Sequence, residues 1–395
     1  MKHVKMPTFF KMVYPHRKEV TLRWLLYCYK KLKHEKPHWF DGHVRINSLF
    51  PPYPSESYNR FMNILLKKKR IPHTVYLAVT SHCPYTCPHC SYGKRQKKDA
   101  STEKMIEVIH QIKELGTAII GFTGGEPLLR KDLPHLIQEA GPECTTVVFT
   151  TGYKLTENYA KKLAAANVGC VTIGIESSCP EIHDNIRGVK GSFIKAEKAV
   201  KHCLNAGIFT AIGTVAIRKR LLLGELDRIY ALGKRWGVHE MRLITPVATG
   251  SWTKNTREIL NKEELEMLKE FHIHHNKNKD GPVMATFAYF ESAELFGCNA
   301  GFQNLYIDAS GEICPCDLTP LSFGNAFEKP LKDIWIEMKT YFPRQRLHCL
   351  MNTIAPKIHQ EKLPLTPDQS KKLIPAIDKK TQLPGIVKYL KKNKS

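Results

Sequence analysis

Between residues 73 and 278 the chain alternates six times between a short apolar run and a segment of helical period. The apolar runs are HTVYLAVT (73–80), TAIIGFT (117–123), TTVVFTT (145–151), CVTIGIE (170–176), FTAIGTVAI (209–217) and HEMRLITPV (239–247). The helical segments that follow them are 102–116, 131–141, 156–167, 192–207, 223–237 and 262–278. Ser101 is placed to cap the first helix and Gly116 to end it. Strands that are apolar almost throughout are buried on both faces, which requires a parallel sheet covered by helices. The chain is therefore expected to be α/β, with the sheet curved into a barrel or partial barrel. In such folds the chemistry lies at the C-terminal ends of the strands.

The residues at those ends carry chemistry. TSHCPYTCPHCSYG (80–93) follows the first strand and sets Cys83, Cys87 and Cys90 in one tight loop. Three thiolates can hold three irons of a [4Fe–4S] cluster and leave the fourth iron open. A zinc knuckle completed by His82 or His89 is the other reading of the same spacing. TGGEP, TTG and IES end the next three strands. The chain has 12 cysteines, but this setting does not suggest a disulfide framework. Cys28, Cys144, Cys170, Cys179 and Cys203 are scattered and are read as small buried hydrophobes.

Cys83-x3-Cys87-x2-Cys90 after the first strand, with Gly124-Gly125-Glu126-Pro127 after the second, resembles the radical S-adenosylmethionine (SAM) superfamily. The resemblance covers roughly residues 73–255. It implies a partial (β/α)6 TIM-type barrel and a [4Fe–4S] cluster on Cys83, Cys87 and Cys90, with SAM chelating the open iron. It implies reductive cleavage of SAM to a 5′-deoxyadenosyl radical that abstracts hydrogen from a substrate. The TGGEP stretch is then expected at the SAM amino group. Thr151, Glu176 and Ser177 are expected near the ribose, and Arg187 near the SAM carboxylate or in a structural ion pair. Gly174 stands where a serine is common. His89 is expected to pack near the adenine, with Pro246 and Gly250 in the adenine-side loop.

Past residue 283 the pattern reads as short strands and turns, with an Asp/Gly hairpin turn at DASG (308–311) and a helix at 331–342. Cys298, Gly311, Cys316 and Phe323-Gly324-Asn325 resemble the start of the SPASM or twitch extension. One auxiliary iron–sulfur cluster is expected, on Cys298, Cys316 and Cys349, with Cys314 as an additional candidate. A second auxiliary cluster would lack ligands. The chain then divides into a basic N-terminal extension (1–72), the radical SAM core (73–282), a small SPASM/twitch-like domain (283–354) and a basic tail (355–395). The tail is expected to be extended or poorly ordered, with a short basic amphipathic helix at IVKYLKKNK.

The two ends hold nearly all the charge. Residues 1–72 carry 16 Lys/Arg against 4 Asp/Glu, and residues 344–395 carry 12 against 3, in a chain of net charge +23. Basic ends suit an anionic partner. VTLRWLLYCYKKLKH (20–34) reads as an amphipathic helix, with Leu22, Leu25, Leu26, Tyr29 and Leu32 on one face. That pattern serves either an interfacial membrane helix or a helix packed on its own domain. No transmembrane run or signal peptide is evident, so the expected location is cytoplasmic, with peripheral contact to an anionic membrane as a candidate. The expected partners are SAM, an external low-potential electron donor and a substrate. A peptide or protein side chain leads as substrate, with a lipid, isoprenoid or cofactor precursor as the alternative. A zinc-binding, basic nucleic-acid-binding protein is the reading from another class.

Overall fold

The computed structural model describes residues 2–3, 11–67, 69–93, 98–252, 255–278, 280–358, 365–374 and 384. The expected basic helix at IVKYLKKNK lies outside them. The six apolar runs form parallel strands: β1 (Thr74–Thr80), β2 (Ile119–Gly124), β3 (Thr145–Thr150), β4 (Cys170–Gly174), β5 (Thr210–Val215) and β6 (Glu240–Ile244). Helices follow them in turn: α1 (Thr102–Glu114), α2 (Leu133–Ala140), α3 (Glu157–Ala165), α4 (Ser192–Asn205), α5 (Glu225–Trp236) and α6 (Lys262–Lys277). The Ser101 hydroxyl accepts from Lys104 N at 3.4 Å, the cap expected for α1. Alternation sets the layers. Val75, Leu77 and Val79 of β1 meet the helices, while Tyr76 and Ala78 belong to a separate cluster facing the barrel interior.

The sheet is wider than six strands. β7 (Val283–Thr286) pairs in parallel with β6, and β8 (Asn304–Ile307) pairs in parallel with β1 on the opposite side. β9 (Ile313–Cys314) runs antiparallel to β8, giving the order β7-β6-β5-β4-β3-β2-β1-β8-β9. The barrel is thus partial, and the segments after residue 283 extend its sheet at both edges. DASG forms the β8–β9 turn: the Asp308 carboxylate accepts from Ser310 N and Glu312 N at 2.8 and 3.0 Å. The tail differs from the extended chain expected from its prolines. Leu350–Ile358 and Pro367–Leu373 are helices. Pro367 occupies a first-turn position, where its missing N–H costs nothing, behind a Thr366–Gln369 capping box.

The N-terminal extension closes the N-terminal end of the barrel. Met12, Trp24, Cys28, Tyr58 and Phe61 pack with Ile119, Val147, Cys170 and Ala211, which lie at or near the starts of β2 to β5. The helix Leu22–Leu32 is capped by Thr21, and it splits the expected apolar face: Leu25 and Leu32 pack partly buried against this cluster, beside Trp24 and Cys28. Trp24 and Cys28 are buried, whereas Leu22 is 72% exposed, Leu26 59% and Tyr29 47%.

Candidate active site

β1 delivers the cysteine loop to the C-terminal end of the barrel, and Asp99 fixes its first turn. Thr80 Oγ1 donates to Asp99 Oδ2 at 2.5 Å and Ser81 N to Asp99 Oδ1 at 2.8 Å. Three distant segments then clamp the loop through the backbone. Glu126 N donates to His82 O at 2.7 Å, Thr86 N to Arg187 O at 3.1 Å, and Ser251 N to Cys90 O at 3.0 Å. Glycine is required where they touch. A Cβ on Gly125 would lie 2.1 Å from His82 O, one on Gly188 2.1 Å from Thr86 Oγ1, and one on Gly250 2.1 Å from Cys90 O.

The side chains expected at SAM have internal partners. Glu126 is fully buried and accepts from Thr150 Oγ1 (2.6 Å), Thr151 N (2.8 Å), Thr151 Oγ1 (2.5 Å) and Leu128 N (3.1 Å). Its carboxylate braces β2 against β3, and the Thr151 hydroxyl is spent on the same brace. Burial raises the Glu126 carboxyl, against the pull of these donors. Ser177 Oγ donates to Glu225 Oε1 at 2.8 Å. Glu176 is the hub of a buried network: Oε1 meets His89 Nε2 at 3.1 Å and Arg187 at 2.9 Å, and Oε2 meets Arg220 at 2.7 Å. The cations outweigh burial and hold the Glu176 carboxyl well below its ordinary value. Glu176, Ser177 and Thr151, the side chains expected near the ribose, thus each hold an internal partner in this arrangement.

Arg187 takes the ion pair that the sequence left open against a SAM contact, and it also reaches the cysteine loop. Its Nη1 donates to Cys87 Sγ at 3.3 Å, and its Nε is buried without a partner. Gly174 explains itself here, since a Cβ at that position would lie 2.2 Å from the Arg187 guanidinium. Arg220 was missed by sequence reading. Its one signal is the basic run Arg218-Lys219-Arg220 directly after β5. His89 packs edge-on to Trp252, with ring centroids 5.8 Å apart, while its Nε2 lies within hydrogen-bond distance of Glu176.

Cys83 is exposed, while Cys87 and Cys90 are half-buried. Although Cys83 reaches the surface, the protein packed around it displaces enough water to raise its thiol to about 12, and the neighbouring Glu126, Cys87 and Cys90 add to the rise. Burial also raises Cys87, opposed by the Arg187 charge. Among the described residues no three His, Cys, Asp or Glu side chains already converge as a metal-binding group. The donor set nonetheless fits an iron–sulfur cluster: three thiols on one clamped loop, each able to swing its sulfur about the Cα–Cβ bond, with the Arg187 guanidinium beside Cys87 to offset thiolate charge.

A second set lies beyond β8. Cys298 and Arg346 pair through both backbone groups, at 2.8 and 3.1 Å, which brings Cys349 into the neighbourhood. Burial raises Cys298 to about 11. Burial also lifts Cys316 far above the ordinary thiol value, with Asp317, Cys298 and Cys349 adding to it. Cys314 is elsewhere: it packs with Ala78, Tyr92, Tyr306 and Ala309, next to Cys90. It thus packs in a different cluster from Cys298, which lies in the main core with Cys316 and Cys349 against it. Of the scattered cysteines, four are buried as expected, but Cys179 is partly exposed and bonds Glu181 at 3.0 Å. A cavity of about 80 Å³, lined by Phe50, Phe61, Tyr76, Phe287 and Glu291 among others, includes no cysteine-loop residue in its walls.

Comparison with known proteins agrees with this geometry. Residues 77–220 match the radical SAM superfamily, and residues 298–349 match the SPASM iron–sulfur cluster-binding domain. A PqqA peptide cyclase of Rhizobium meliloti (strain 1021) is 28% identical over 284 residues, covering 68% of this chain and 75% of the relative. An AdoMet-dependent heme synthase of Oleidesulfovibrio alaskensis is 26% identical over 283 residues, covering 65% and 72%. Among solved structures, SuiB of Streptococcus suis bound to S-adenosylmethionine superposes with a TM-score of 0.59 at 16% identity, covering 78% of this chain and 76% of SuiB. The chain therefore carries a radical SAM domain and a SPASM iron–sulfur cluster-binding domain, the domains of an enzyme that uses SAM and a [4Fe–4S] cluster together with auxiliary iron–sulfur chemistry.

Proposed function

We propose that Cys83, Cys87 and Cys90 hold the [4Fe–4S] cluster, and that SAM binds against the backbone of Gly124 and Gly125. The observation that carries this reading is the clamping of the cysteine loop by Gly125 just past β2, by Gly188 at the end of the helix Pro180–Arg187, and by the Gly250 turn beyond β6. When bound, the two cofactors supply reductive cleavage of SAM and, through it, hydrogen-atom abstraction; an external low-potential donor provides the electron. The chain supplies position and charge. Glu126 holds the ends of β2 and β3 together, which keeps the Gly124–Gly125 backbone against the loop. Glu176 orients Arg187, and Arg187 sets its positive charge beside Cys87. Cys298, Cys316 and Cys349 hold one auxiliary cluster.

The substrate is a peptide or protein side chain. Similarity to a peptide cyclase over most of both chains supports this. The similarity to heme synthases supports a tetrapyrrole as the second reading. Reconstituted under anaerobic conditions with strong reductant, the enzyme should convert SAM to 5′-deoxyadenosine, and Cys87→Ala should abolish it. Cleavage retained in that variant would sink the assignment. A short peptide encoded beside the gene should raise the 5′-deoxyadenosine yield and itself change mass. A tetrapyrrole that does so, where the peptide does not, decides for the second reading.

A further inference from the structure

The helix Leu22–Leu32 turns an apolar stripe outward. Leu22, Leu26 and Tyr29 stand at positions i, i+4 and i+7, one face of a helix, and all are exposed. Lys33 falls on the same stripe and Lys30 flanks it, both exposed. The helix, LRWLLYCYKKL, contains no acidic residue. It does not hang free, because Trp24 and Cys28 anchor its other face in the cluster under the barrel. The turn before it adds exposed Tyr14, Arg17 and Lys18, with the Arg17 guanidinium 4.5 Å from the Tyr14 ring centre. The exposed acid nearby in sequence, Glu19, pairs with Lys67 at 3.8 Å.

We propose that this face docks on an anionic lipid bilayer. Leu22, Leu26 and Tyr29 enter the boundary between headgroups and acyl chains, while Lys30 and Lys33 lie at the level of the lipid phosphates. Charge complementarity selects the occupant. Residues 1–72 hold 16 Lys/Arg against 4 Asp/Glu, so a second copy would set like charge against like. The geometry permits docking during catalysis: the extension covers the N-terminal end of the barrel, and the cysteine loop opens at the other. Docking is independent of which substrate the enzyme takes.

Co-sedimentation of the full-length protein tests this, with vesicles of phosphatidylcholine alone or mixed with phosphatidylglycerol. Binding is expected only to the mixed vesicles, falling about tenfold or more in Leu22→Glu/Leu26→Glu and in Lys30→Glu/Lys33→Glu. High salt should weaken it as well. These four side chains project from the surface, so far-UV circular dichroism and 5′-deoxyadenosine formation should stay as in the parent. Absence of binding to mixed vesicles overturns the proposal, as does binding that the leucine substitutions leave unchanged. A concentration-dependent dimer that Leu22→Glu/Leu26→Glu dissolves, without vesicle binding, assigns the face to a second copy instead.

Discussion

Glu176 is where the residue scale decides most. Its carboxylate, 3% exposed, balances Arg187 and Arg220 and meets His89. Removing one member of a buried charge network leaves the others uncompensated, at about 3–5 kcal/mol. Glu176→Gln should lower unfolding free energy by that order in urea titrations, and a loss below about 1 kcal/mol would contradict the hub reading. The sequence marked Glu176 and Arg187 as important without revealing that they bind each other. IES and RG lie on either side of a turn whose closure depends on the helix Pro180–Arg187. Gly174 was legible only as a departure from the family pattern, and the guanidinium above it supplies the reason.

At the scale of elements, the cysteine loop is held more by its neighbours than by itself. Its internal backbone bond, Cys90 N to Cys87 O, is 3.3 Å, while the clamps from β2, Arg187 and Ser251 run from 2.7 to 3.1 Å. Gly125→Ala should therefore displace the loop, since its Cβ would meet backbone rather than a movable side chain. Iron and sulfide per chain after anaerobic reconstitution should fall to about half or less if the clamp positions the thiols. Normal loading would show that the loop finds its shape alone. Cys314 teaches the complementary lesson. In sequence it stands two residues from Cys316, yet it packs with Tyr92 beside Cys90, while Cys316 has Cys298 and Cys349 as its electrostatic neighbours. Spacing identifies candidates, and the surroundings that the fold gives each thiol sort them: Cys314 ends β9, and Cys316 lies beyond it.

At the scale of the whole molecule, burial of histidine sets the response to acid. His38, His73, His183 and His239 are each pushed down to about 4, with burial the largest cause, from an ordinary 6.5. Between these values the unfolded chain binds protons that the folded chain refuses, so stability falls as pH drops from about 6.5 toward 4. The melting temperature of the apo-protein should decline by several degrees across that window, followed by circular dichroism. A flat profile would mean that these rings are solvated. Three of the four lie at the N-terminal end of the barrel, where no motif announced them: His38 and His239 stack on Phe209, and His73 meets Phe61. The sequence by itself determined the strand–helix order, the cysteine loop after β1 and the glycines beside it, because period and spacing are local properties. Only the tertiary structure decided that β7 and β8 extend the sheet at its two edges, that the carboxylates near the loop bind within the protein, and that the first amphipathic helix faces outward. Each of those outcomes depends on which groups far apart in the chain compete for the same buried volume or the same charge.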